Sequence, residues 1–290
     1  MVDVVVVGSA NVDLVLPVQR IPRPGETVLA TGLSRGPGGK GANQAVAAAR
    51  AGASTALVAS LGSDDGGSLL RDALAESGVD LSLVSWTDTP TGTAIITVDA
   101  DGENAITVAP SANGELKLSG EAAAAVRGAK IVLSQLEIPF ATVQAAAEAS
   151  SYFVLNAAPA AELPDELLAH VDLLVVNETE AEVVAGGDRS SLLAKVPAAV
   201  VTLGAAGAVI LARGAAEISI PGVSVEVVDT TAAGDTFCGV LAATLATGSD
   251  LTNAVRRANV AASLSVQAAG AIPSVPHGDV IDARAAEVYL

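Results

Sequence analysis

Two acids bracket a run of small residues in VVDTTAAGDTF, residues 227–237. Asp229 closes a β-branched apolar run, and Asp235 follows after Thr-Thr-Ala-Ala-Gly. The next ten residues, CGVLAATLAT, are helix formers that stop at Gly248, the residue type best suited to end a helix. The pattern predicts strand, tight turn and helix, with Asp235 in the first helical turn. There the amide N–H groups of Ala232, Ala233 and Gly234 lack intrahelical acceptors and the macrodipole favours negative charge, which makes an anion hole. A carboxylate beside it suits phosphoryl transfer: it takes the proton of an attacking hydroxyl while the amides stabilise the transferring group. The competing reading is an ordinary first-turn acid that complements the dipole.

A second small-residue stretch, GPGGKGAN at 36–43, leads into the alanine-rich QAVAAARAG. It reads as a glycine-rich loop at a helix N-terminus, where exposed amides, Lys40 and Asn43 can address an oxygen-rich ligand. Ser34 stands where a Walker A loop needs glycine, and Gly41 follows Lys40 where that loop needs Ser or Thr. Gly36, Gly38 and Gly41 do match G-x-G-x-x-G, with a strand at 55–61 and Asp64 beyond. A dinucleotide-binding oxidoreductase is therefore an alternative. The residues before Gly36, ATGLSR, do not form the buried strand that fingerprint requires.

Three further sets stand at predicted strand ends. Asn11 and Asp13 follow the apolar run Val4–Val7, and read either as turn residues or as ligand contacts. Asn177 to Glu180, NETE, is a capping box or, with Glu180 acting through water, a magnesium neighbour. The loop TLGAAG at 202–207 is small enough to hold a nucleotide. Asp99 and Asp101 suggest a calcium loop, but the required glutamate is missing and a hairpin turn fits better. His170 and His277 have no catalytic or metal pattern around them, and Cys238 reads as a small buried thiol.

The elements that must position these groups alternate. Apolar runs at 4–7, 131–136, 153–155, 173–176 and 199–202 are separated by helical stretches, and 251–267 reads as a long helix. Such alternation predicts a doubly wound, mostly parallel α/β sheet with helices on both faces, whose ligands sit at the strand ends. Residues 14–31, broken by Pro17, Pro22, Pro24 and Gly25, read as exposed β-structure. With 93–98 and 105–108 they predict a small second sheet, a lid or a structural clasp.

Composition narrows the classes. A net charge of -17 and 2% aromatic residues exclude a basic, base-stacking nucleic-acid surface. MVDVVVVGSA lacks the basic region of a signal peptide, no apolar run spans a membrane, and the single cysteine forbids an intrachain disulfide. The expectation is a cytoplasmic protein.

In order along the chain, GSANVD, GGKGANQA, QLE, NETE, TLG and DTTAAGDTF resemble the ribokinase, or PfkB, family of sugar kinases. The resemblance runs over nearly all of residues 1–290, as a single kinase domain with lid strands from about 12–35 and 91–110. It implies a ribokinase-like α/β fold, transfer of a phosphoryl group from ATP to a sugar, and a homodimer clasped through the lids. Carried over by position, Asp235 becomes the general base and Ala232, Ala233 and Gly234 the anion hole. Asn11, Asp13, Gly39, Lys40, Gly41, Ala42, Asn43 and Glu137 become sugar contacts. Asn177, Thr202, Leu203, Gly204, Ala205, Ala206, Gly207, Gly234 and Asn259 become ATP contacts. Glu180 would help position Mg2+ through water, and Asp229, Thr231, Ser265, Ala268, Gly270 and Ser274 would hold an activating K+. The implied substrate is D-ribose, with 2-deoxyribose, fructose or a nucleoside as alternatives. A sugar-binding protein without turnover is a further alternative, which would leave Asp235 without a role. The chain departs from the family pattern in a short 180–202 segment and in Ala205 and Ala206, where members often carry hydroxyl or basic residues.

Overall fold

Four consecutive valines have no polar face, and the strand they form, β1 (Val4–Val7), is buried on both sides. In the computed structural model, which describes residues 2–289, Val4 and Val6 enter one hydrophobic core while Val5 and Val7 enter a second. The two-residue period of a strand divides its neighbours in the same way. Leu133 and Val154 join the first core, and Val132, Phe153 and Leu155 the second. Each such side chain contributes about 1.5–3 kcal/mol relative to exposure.

The chain continues through β2 (Asn11–Pro17), β3 (Ser34–Gly38), α1 (Lys40–Arg50), β4 (Thr55–Val58), β5 (Ser60–Gly62), α2 (Asp65–Glu76), β6 (Ser85–Thr87), β7 (Gly92–Val98) and β8 (Asn104–Ala109). Helix and strand then alternate: α3 (Gly120–Gly128), β9 (Ile131–Ser134), α4 (Phe140–Ala149), β10 (Phe153–Asn156), α5 (Asp165–Leu168), β11 (Leu173–Asn177), α6 (Glu178–Ala185), α7 (Leu192–Lys195) and β12 (Ala198–Thr202). A hairpin of β13 (Gly207–Ala212) and β14 (Ile218–Pro221) precedes α8 (Ala233–Ala246), α9 (Leu251–Ser265), α10 (Ala271–Ser274) and α11 (Gly278–Tyr289).

The main sheet has the order β14-β13-β12-β11-β10-β9-β1-β4. It is parallel from β4 to β12, and β13 and β14 add an antiparallel edge. Because β4 lies on one side of β1 and β9 on the other, the order reverses at β1. The crevice beyond the ends of β1 and β9 is the expected ligand site of such a sheet. A second sheet, β3-β2-β7-β8, starts from the same place, since only residues 8–10 separate β1 from β2. Asn113 pins that joint: its side chain accepts from the Ala10 amide at 2.9 Å and donates to the Ala10 carbonyl at 3.2 Å and to Asn11 Oδ1 at 2.7 Å. Close by, Trp86 stands half-exposed on β6, and the hydroxyls of Thr87 and Thr89 donate to Glu115.

Several expectations change in detail. The 55–61 run is two strands: β4 belongs to the main sheet, whereas β5 pairs with β6 in a separate ribbon. Within 14–31 only the first four residues are strand, because the prolines at 17, 22 and 24 remove ladder donors. The next strand, β3, comes only after that segment and is antiparallel to β2, so Gly36 and Gly38 lie in a sheet and not in a turn after a parallel strand. This removes the geometric basis of the dinucleotide fingerprint. Residues 222–229 are not a strand either: Pro221 and Gly222 end β14, and the amides of Val228 and Asp229 donate to the Val266 carbonyl. The 99–102 segment is the hairpin turn, with the Asp99 amide donating to the Glu103 carbonyl at 3.0 Å.

Candidate functional site

Helix α1 begins four residues before the alanine-rich run, at Lys40, because Gly39 takes a φ of 91° as its N-cap. A side chain at Gly39 would also overlap the Asn11 amide, and one at Gly41 would strike the backbone of Gly8 and Ser9. The tight approach carries the start of α1 to the ends of β1 and β9. There Glu137 Oε2 accepts from Ser9 Oγ at 2.6 Å, the Lys40 amide at 3.2 Å and Asn11 Nδ2 at 3.5 Å.

Helix α8 packs against α1 through small residues. Gly239 faces the Gln44 carbonyl and the Ala47 side chain so closely that a Cβ there would overlap both. Ala232, with a left-handed φ of 57°, turns the chain into α8 and puts Asp235 in its first turn. The result joins the two motifs: Asn43 Nδ2 donates to Asp235 Oδ2 at 2.9 Å, and Gln44 Nε2 donates to Oδ1 at 2.9 Å. Of the expected anion-hole amides, Ala233 leans on the Thr230 carbonyl at 3.3 Å. Those of Ala232 and Gly234 make no backbone bond among the described residues.

Four carboxylates and one lysine share this volume. Burial pushes the Asp235 carboxyl up, against Lys40 and the Asn43 and Gln44 amides, which pull it down. Burial and then the charges of Glu137 and Asp235 raise Asp13 to about 7. Its carboxylate has no hydrogen-bond partner among the described residues, so its acceptors remain available to a ligand. Burial alone would lower Lys40, but the surrounding Asp235, Glu137 and Glu180 outweigh it and hold the ammonium charged. Glu180 is raised by burial, while one of its oxygens, Oε2, accepts from the Asn177 amide at 2.8 Å in a complete capping box.

On the other side of Asp235 lies a cavity of about 410 Å³, lined by Ala233 and Gly234 and by Thr202, Gly204, Ala205, Gly207 and Asn259. Three expected members stand outside that lining. Leu203 packs into the second core and Ala206 accepts from the Gly222 amide, so both serve the loop's own structure. Asn177 pairs with Thr202 across the strands but caps α6 with its side chain. Sequence reasoning missed the opposite wall, which includes Val223, Ser224, Val225, Val227, Ala262, Ser263 and Val266. Exposed Val227 and Val228 give the same apolar signal as a buried strand.

Behind α8, the segment around Asp229 lies against the chain at and after the end of α9. Asp229 accepts from the Thr231 amide and hydroxyl at 2.8 and 2.6 Å and from the Gly270 amide at 2.8 Å. Burial raises this carboxyl, but those donors more than offset it and its pKa is lowered. The hydroxyls of Ser265 and Ser274 donate to the Ala262 and Ala271 carbonyls, which leaves their oxygen lone pairs free.

A profile of the pfkB family carbohydrate kinases matches residues 1–278. The chain is 40% identical to a ribokinase of Bacillus subtilis, over 95% of this chain and 97% of the relative. It is 38% identical to a ribokinase of Haemophilus influenzae, over 93% and 94%. The structure of Arabidopsis thaliana ribokinase complexed with ribose and ATP superposes with a TM-score of 0.90 at 35% identity, covering 98% of each chain. Among the described residues no helix is long and apolar enough to cross a membrane.

Proposed function

The chain belongs to the pfkB family of carbohydrate kinases, and from that membership we propose that it is a ribokinase. It transfers the γ-phosphoryl group of ATP to the 5-hydroxyl of D-ribose, and residues 1–290 act as one kinase unit. The observation that carries this reading is the double situation of Asp235. Its carboxylate is bonded to Asn43 of the glycine-rich motif, while the two residues before it line the 410 Å³ cavity.

The sugar side consists of Asn11, Asp13, Lys40, Asn43 and Glu137, with Gly39, Gly41 and Ala42 giving room. Amides, carboxylates and an ammonium suit a polyhydroxyl ring, and the unpartnered Asp13 carboxylate accepts from two of its hydroxyls. On the nucleotide side, Thr202, Gly204, Gly207 and Asn259 face ATP, and the apolar wall from Val223 to Val227 accommodates the base. Asp235 receives the proton as the sugar oxygen attacks. The transition state is loose, so the carboxylate need not be a strong base in the ground state. The Ala232 and Gly234 amides stabilise charge on the transferring group, and the second sheet excludes water whose attack would waste ATP.

Two metals fit the residues present. Glu180 keeps one carboxylate oxygen free of protein bonds, which suits contact with Mg2+ through a water molecule, and the ion would neutralise charge on the phosphates. Asp229, Thr231, Ser265, Ala268, Gly270 and Ser274 offer a carboxylate, hydroxyl lone pairs and carbonyls for K+, which would tune the anion hole from behind. Exposed Ile106 and Val108 on the second sheet support a homodimer clasped through these sheets. We place the enzyme in the cytoplasm.

The test is ADP release with ATP, magnesium and potassium, comparing D-ribose, 2-deoxyribose, fructose and adenosine, with Asp235→Asn as control. Ribose-dependent turnover that falls about 10²- to 10⁴-fold in the variant is the expected result. Turnover confined to another acceptor overturns the substrate, and an active variant overturns the base.

A further inference from the structure

We propose that Gln44 is a positioning residue of this phosphoryl transfer: its buried amide holds the Asp235 carboxylate in the orientation from which it receives the sugar proton. The proposal rests on the kinase reading above. In that step the sugar oxygen forms the new bond to the γ-phosphorus and the bond to the β,γ-bridging oxygen breaks. ADP keeps that electron pair, and the hydroxyl proton passes to Asp235.

Gln44 is fully buried, and both of its N–H donors and its carbonyl oxygen are bonded to protein groups. Its Nε2 donates to Asp235 Oδ1 at 2.9 Å and to Asn156 Oδ1 at 3.0 Å, while its Oε1 accepts from Gln135 Nε2 at 2.5 Å. Asn156 is fixed in turn, because its Nδ2 donates to the Val175 carbonyl at 3.3 Å. The amides therefore run in one direction, from Gln135 through Gln44 and Asn156 to β11. A flipped Gln44 would set its oxygen against both Asp235 and Asn156, so the network admits one orientation.

Adjacent residues of α1 thus grip the two oxygens of one carboxylate, and their remaining capacity separates their roles. Asn43 keeps a buried Oδ1 with no protein partner, which a ligand hydroxyl can use. Gln44 has both N–H donors committed to protein groups and no exposed surface, so it acts through Asp235. The charged and titratable groups facing Asp235 are Lys40 on α1, Glu137 after β9, Asp13 on β2, Glu180 on α6 and the Cys238 thiol on α8. Removing the Gln44 donor leaves Lys40 and Asn43 to oppose burial, and the carboxyl titrates higher.

The experiment compares wild type, Gln44→Met and Gln135→Met in kcat and KM across pH, with circular dichroism to normalise for folded protein. The Asp235 carboxyl is titrated in each free protein by difference infrared spectroscopy, with Asp235→Asn identifying its band. Gln44→Met is expected to lower kcat about 10- to 100-fold, the size of one charge-assisted hydrogen bond. Ribose and ATP KM should stay within about threefold, and the acid limb and the infrared titration should both move to higher pH. Gln135→Met, which frees Gln44 without touching Asp235, should move all three readouts the same way by less. An unchanged pH profile and an unchanged Asp235 titration overturn the proposal and leave Gln44 a packing residue. Should Gln44→Met fail to fold, Gln135→Met decides by the same criteria. Wild type without ribose turnover would reject the kinase reading, and the infrared titration would still decide whether Gln44 governs the carboxyl.

Discussion

Asp13→Asn should stabilise the unliganded protein while damaging sugar binding. Asp13 is partly buried, and burial with the nearby charges of Glu137 and Asp235 moves its pKa from an ordinary 3.8 to about 7. A carboxyl whose folded pKa is raised binds its proton more tightly when folded. Its contribution is therefore fully present below pH 3.8 and is lost as pH rises through 7. At pH 8 the ionised group costs about 4 kcal/mol, from a rise of about three units at 1.36 kcal/mol each. Asparagine keeps the shape without the charge. For a chain of this length the unfolding entropy is about 0.6 kcal/mol/K, so the variant should melt about 6–7 °C higher at pH 8. The gap should close as pH falls toward 4, where wild-type Asp13 is itself neutral. Comparing the two proteins at each pH cancels the other raised carboxyls to first order. Differential scanning calorimetry from pH 4 to 8, without sugar or nucleotide, measures the gap. Ribose KM should rise about 10- to 100-fold, the size of a lost charged hydrogen bond. A variant that melts lower at pH 8, or a gap independent of pH, refutes the account of Asp13 as a charge held at a cost for its ligand.

The remaining expectations concern the supports of Asp235. Gly239→Val puts side-chain atoms where the Gln44 carbonyl and Ala47 stand. It should cost about 1–3 kcal/mol of stability by chemical denaturation and lower kcat by parting Asn43 and Gln44 from Asp235. Replacing potassium with a large organic cation should lower kcat, and Asp229→Ala should abolish the difference between the two salts. Steady-state kinetics at constant ionic strength measures both, and an Asp229→Ala enzyme that still responds to potassium rejects the site.

The parts of the site legible in sequence are those where chemistry and backbone coincide. Asp235 and Lys40 stand beside glycines and alanines that only a close ligand or a close helix explains, and Glu137 falls where an apolar run ends. Asn156 likewise falls where an apolar run ends, but Gln44 and Asn113 were not legible. An amide in a helix or a loop looks like any surface polar residue until tertiary packing buries it among acceptors. The main sheet was legible from its β-branched runs, but its antiparallel edge was not, because TLGAAG gave a loop signal that hid the start of β13. At 227–228 the reverse happened. Exposed valines such as Val227, on the cavity wall, carry the same pattern as valines in a buried strand, and burial alone distinguishes them.

The placing of Trp86 makes this molecule its own instrument. It is the only tryptophan in the chain, and it stands half-exposed next to Thr87, whose hydroxyl bonds Glu115, two residues from the Asn113 that pins the joint between the sheets. Indole emission from the native protein therefore has one source, and that source is local to the joint. A ligand-dependent change in wavelength or quenching needs no label to be assigned, and stopped-flow fluorescence of the unmodified chain can time events there separately from ADP release.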